Sequence, residues 1–100
     1  MLAAFDPARL HAEALQVLGG RYRVLDSRWW RLDPETDLWS RDRARSLLLL
    51  DLHALIGALD MSCPSQYVQD QAIARLRVPL YAYDGLPGRE VPVVQDSGRL

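Results

Sequence analysis

The sequence predicts a small α+β domain with a two-layer build. Its expected order is an N-terminal helix, a three-stranded antiparallel meander, a long central helix, a third helix and a C-terminal extended segment. Three observations point there. Capping residues precede runs whose apolar positions recur every three or four residues. Between two such runs, Arg21 to Trp39 is rich in aromatic residues and turn chemistry, the composition of strands. The chain has 100 residues, 49% of them apolar and 25% charged, which suffices for one modest core and not for two. Residues 1–94 are read as the domain and 95–100 as a flexible tail.

The first helix opens at Phe5-Asp6-Pro7. Asp6 can accept from free backbone N–H groups, and Pro7 suits a first helical position because it has no N–H to satisfy. Phe5 and Leu10 stand at the positions of a hydrophobic staple. Leu10, Ala14, Leu15 and Leu18 form the expected buried stripe. Gly19-Gly20 should end the helix in the left-handed conformation that glycine adopts without strain.

The meander follows. Pairing Val24 with Trp30 puts Tyr22, Val24, Trp30 and Leu32 on one face and leaves Asp26-Ser27-Arg28 as a three-residue loop. A two-residue loop would instead set Tyr22 opposite Arg31. Asp33-Pro34-Glu35-Thr36-Asp37 reads as a second turn, and Leu38-Trp39 as a short third strand with Leu38 opposite Leu32. The outer face is then expected to carry Arg23, Leu25, Trp29, Arg31 and Trp39.

Ser40 is the expected cap of a central helix running from about Arg41 to Leu59. Ala44, Leu48, Leu52, Leu55, Ile56 and Leu59 form its main stripe, while Leu47, Leu50, Ala54, Gly57 and Ala58 form a second apolar surface. A helix apolar on two sides is expected to be buried on two sides. The third helix should start at Ser62-Cys63-Pro64, present Tyr67, Val68, Ala72, Ile73 and Leu76, and stop near Arg77 because Pro79 follows. Leu80 to Tyr83 has strand character, Asp84 to Gly88 is a turn, and Val91 to Val94 is an expected edge strand.

The bulk composition excludes several classes. The net charge of -1 makes the whole molecule a poor partner for nucleic acid or an anionic membrane, so such binding would need a local patch. All 12 basic residues are arginine, which with the many leucines most simply reflects GC-rich coding and a bacterial or mobile-element source. The lone Cys63 provides no disulfide framework, and the N-terminus lacks the pattern of a signal peptide. A cytoplasmic protein without membrane association is expected.

No catalytic signature is present. His11 and His53 lack ligand-spaced partners, Cys63 with His53 is the single conceivable nucleophile pair, and Asp33, Glu35 and Asp37 lie in a proline turn without calcium-loop spacing. No enzyme activity, cofactor or metal is expected. The run Arg21-Tyr22…Trp29-Trp30-Arg31-Leu32-Asp33…Trp39 is similar to the tryptophan-bearing segment ahead of the motor in phage and plasmid primase–helicases. It lacks ATPase motifs, and the resemblance implies a mobile-element setting without assigning a family or any site residue.

The functional expectation is a small protein-binding module, a phage or mobile-element regulator or inhibitor that occludes a host complex. Its partner-binding residues are expected to be Arg23, Arg28, Trp29, Arg31 and Trp39, since tryptophan and arginine are enriched at interface hot spots. The alternative is an arginine-rich nucleic-acid-binding domain using Arg23, Arg28, Arg31, Arg41, Arg43 and Arg45, with bases stacking on the aromatic rings. Leu47, Leu50, Ala54 and Ala58 are the candidate homodimer face.

Overall fold

Helix α1 (Pro7–Leu18) leads into strands β1 (Tyr22–Leu25), β2 (Arg28–Leu32) and β3 (Trp39–Arg41). A 3-10 turn (Arg43–Arg45), helix α2 (Ser46–Ala58) and helix α3 (Gln66–Leu76) complete the domain. This is the expected small α+β architecture. The computed structural model describes residues 2–86. The expected strand at Val91 to Val94 and the tail 95–100 lie outside the described residues.

Helix α1 starts as its sequence directs, with the Asp6 carboxylate accepting from the Arg9 N–H at 3.2 Å. Its end differs from expectation. Gly19 keeps a right-handed φ of -62°, and Gly85 is the only described glycine with positive φ. Gly19 is required instead by close approach, because a Cβ there would overlap the Leu15 carbonyl oxygen. The Gly19 carbonyl at the end of the helix accepts from the Arg23 guanidinium, which also donates to the Tyr22 carbonyl of β1.

The three strands are antiparallel in the order β1-β2-β3. Their register corrects the expected pairing. Val24 lies opposite Trp29, Tyr22 opposite Arg31 and Arg23 opposite Trp30. The connection is the two-residue turn Asp26-Ser27, with φ of 54° and 62°. Two left-handed residues in succession give the turn whose twist matches that of the strands. A one-residue change of register sends every β2 side chain to the other face. Trp29 therefore joins Tyr22 and Val24 against the helices, and Trp30 faces away, its indole N–H donating to the Leu25 carbonyl at 3.2 Å.

The β2–β3 pairing is also shifted by one residue from expectation, with Leu32 opposite Trp39 and Arg31 opposite Ser40. The second turn takes in Leu38, because the Asp33 N–H donates to the Leu38 carbonyl while the Asp33 carboxylate accepts from Glu35 and Thr36.

Because β3 continues to Arg41, Ser40 sits in a strand and cannot cap α2. Asp42 takes that role from across the 3-10 turn: Oδ1 accepts from Leu47 N–H at 2.9 Å and Oδ2 from Leu48 N–H at 2.8 Å. The chain turns between strand and helix through Ala44 and Arg45, both left-handed at φ 54° and 47°.

Helix α3 begins later than expected. Ser65 is its cap, accepting from the Val68 N–H at 3.3 Å. Its buried residues are Gln69, Ile73 and Leu76, whereas Tyr67 is exposed.

The core joins Leu10, Ala14 and Leu18 of α1 and Tyr22, Val24 and Trp29 of the sheet to Leu48, Leu52 and Ile56 of α2 and Ile73 and Leu76 of α3. Two tethers close it. Ala3 exchanges backbone hydrogen bonds with Asp60 and Ser62, and Leu80 to Ala82 adds a one-residue parallel bridge to the free edge of β1 at Val24.

Candidate functional site

The β1–β2 turn, β3 and the 3-10 turn converge at one end of the sheet. Between them lies a shallow concavity of about 210 Å³, lined in part by Ser27, Arg28, Trp29, Arg41, Asp42 and Arg45. The Asp42 carboxylate is buried and occupied by the two α2 N–H groups. Arg45 forms an ion pair with Asp70 of α3. Arg28, at the first position of β2, is exposed.

The other predicted partner-binding residues fall elsewhere. Trp29 is 5% exposed in the helix-side core, and Trp39 is 1% exposed on the opposite sheet face. Neither ring projects as an anchor. Arg31 lies on the inner face opposite Tyr22, with its Nε buried and without a hydrogen-bond partner among the described residues. Arg23 is committed to backbone carbonyls. The alternating rings and guanidinium groups expected on one outer face are thus divided between two faces, a direct consequence of the two-residue turn.

Helix α2 supplies a different surface. Leu47 and Leu50 are 43% and 63% exposed, and Ala54, Gly57 and Ala58 are exposed beside them. The spacing places all five on the side opposite Leu48, Leu52, Leu55 and Ile56. The helix contains two ionisable side chains, half-buried Asp51 and exposed His53, and each hydrogen-bonds another element. Asp51 accepts from the Tyr22 hydroxyl at 2.7 Å, and His53 Nε2 lies 2.6 Å from Gln69 Oε1. A surface helix ordinarily turns such groups to water and apolar ones inward. Here the outward side is apolar.

Comparison with family models, curated proteins and solved structures finds no match to this chain. The site is therefore read from its own geometry. Gln69, which the sequence reading passed over, stands between the two groups of the conceivable nucleophile pair. Its amide accepts from His53 and donates to the Pro64 carbonyl at 2.8 Å and to Cys63 Sγ at 3.4 Å. With Gln69 Oε1 as the acceptor, His53 Nε2 is the donor of this hydrogen bond. The available signal was position: Gln69 shares the buried stripe of α3 with Ile73 and Leu76, where an unpartnered amide would be costly. Among the described residues no group of three or more His, Cys, Asp or Glu side chains is placed to share a metal ion. No helix among them is long and apolar enough to cross a membrane.

Proposed function

We propose that this chain is a small non-enzymatic protein-binding module that docks through the outer face of α2. It acts as a regulator or inhibitor by occupying a partner's surface. The supporting observation is that α2 is apolar on two sides, with Leu48, Leu52, Leu55 and Ile56 buried and Leu47, Leu50, Ala54 and Ala58 outward, while Asp51 and His53 hydrogen-bond neighbouring elements. Burying an exposed leucine fully contributes about 1.5–3 kcal/mol, and the small side chains at 54, 57 and 58 permit close approach of a partner backbone. The exposed charges at Arg43 and Asp60, beyond the two ends of α2, provide rim groups that orient an approaching surface.

The experiment is affinity purification from the native host with the wild-type chain and with Leu47→Glu/Leu50→Glu. Loss of the wild-type partner set from the variant supports the reading, provided the two proteins have the same circular dichroism. Retention of every partner refutes it. Sedimentation of the purified chain separates a second copy from a different protein as the occupant.

A nucleic-acid reading is favoured by one observation, the three arginines 28, 41 and 45 lining one concavity. It predicts affinity that falls steeply with salt and weakens in Arg28→Ala/Arg41→Ala. A flat low-salt gel shift would eliminate it.

A further inference from the structure

Helices α1 and α3 meet along a cleft on the side of the molecule served by neither the sheet nor the outer face of α2. The cleft is a cavity of about 400 Å³, within the range of small-molecule sites. Phe5, partly buried against the core, and Val68 and Ala72, along one stripe of α3, supply its apolar lining.

Three polar groups interrupt this apolar lining: His11, Gln71 and Arg75. Their chemistry is one-sided, since among the described residues no carboxylate lines the cavity. Gln71 donates to the Tyr67 hydroxyl at 2.9 Å, which holds its amide in place and leaves its carbonyl as an acceptor. His11 Nδ1 is buried and has no hydrogen-bond partner among the described residues. Arg75 is exposed, and among the described residues its side chain makes no ion pair. An apolar chamber with an unengaged guanidinium in its wall complements a molecule with an apolar body and one anionic head. A guanidinium binds a carboxylate through two parallel charge-assisted hydrogen bonds.

We propose that the α1–α3 cavity binds a small amphipathic monocarboxylate, with the alkyl or aryl body against Phe5, Val68 and Ala72 and the carboxylate on Arg75. The site is independent of the α2 surface.

The test uses the intact chain, titrated with decanoate and with 1-decanol as an uncharged head of equal length, followed by calorimetry and amide chemical shifts. Decanoate is expected to bind with shifts centred on Phe5, His11, Val68, Ala72 and Arg75, and more tightly than the alcohol. Arg75→Gln, an exposed position, should weaken decanoate by about tenfold or more while leaving the alcohol unchanged. Ala72→Phe, which fills the chamber, should remove binding of both. Equal affinity for acid and alcohol would overturn the carboxylate assignment. Absence of binding, shifts confined to Leu47 and Leu50, or an Arg75→Gln variant that binds decanoate normally would overturn the site.

Discussion

The Tyr22 hydroxyl donates a hydrogen bond to Asp51 Oδ2 at 2.7 Å, tying the first strand to the middle of α2. Tyr22 is fully buried, and Arg31 lies opposite it on β2. This polar link across the layer boundary turns Asp51 toward the sheet and so leaves the far side of α2 without charge. Tyr22→Phe removes the donor while keeping the ring, and is expected to destabilise the fold by about 1–3 kcal/mol because a half-buried carboxylate loses a partner. Urea denaturation measures it.

The same residue sets a pH limit. Burial, reinforced by the Asp51 hydrogen bond, raises the Tyr22 pKa well above its usual value, and the nearby Arg31 only partly opposes this. The neutral phenol is thus favoured in the folded state. Its contribution is complete below the unfolded tyrosine pKa of about 10 and is lost as pH rises from there through the folded value. Of the four tyrosines, one should ionise by ultraviolet absorbance only as the chain unfolds. Tyr22→Phe should abolish that step.

The turn between β1 and β2 is not optimal for its own geometry. Ser27 is held at φ 62°, a conformation in which glycine is unstrained. Ser27→Gly is expected to raise stability by about 0.5–1 kcal/mol. If the variant were destabilised, the two-residue register, and with it the placement of Trp29 in the core, would be in error.

Asp42 is the joint on which the start of α2 depends. Asp42→Ala leaves the Leu47 and Leu48 N–H groups without their acceptors, and should lower stability by about 1–2 kcal/mol. Ala44→Gly, two residues on, relieves a left-handed alanine and is expected to stabilise by up to about 1 kcal/mol. Opposite signs within three residues would be an unusual signature, readable from thermal melts of the two variants.

Element identity and order were legible because they rest on local chemistry: Asp6-Pro7 starts α1, Asp33-Pro34 makes the second turn, and leucine spacing marks both sides of α2. Strand register was not legible. It depended on whether Asp26-Ser27 would accept two left-handed residues, and no glycine announced that it would. The consequence was large, because one residue of slip moved Trp29 and Arg31 from the expected binding face into the interior side of the sheet. The cap of α2 was missed for a related reason. Pairing of β3 with β2 carried the chain past Ser40, and a long-range hydrogen-bond ladder leaves no local trace. The outer surface of α2 was visible in the spacing of Leu47, Leu50, Ala54 and Ala58. Its exposure was not, since the leucine pattern equally suited burial under α3, which instead lies on the α1 side.

The two sides of α2 should respond differently to substitution. Leu52 is fully buried, and Leu52→Ala is expected to cost about 2–5 kcal/mol. Leu50 is 63% exposed, and Leu50→Glu should leave stability within about 0.5 kcal/mol.

That contrast makes the decisive measurement clean: quantitative affinity purification from the native host, comparing the wild-type chain with Leu47→Glu/Leu50→Glu and with Arg28→Ala/Arg41→Ala. Docking through α2 predicts that the leucine variant, folded and of unchanged stability, loses the wild-type partner at least tenfold while the arginine variant keeps it. Capture by the leucine variant equal to wild type would contradict it.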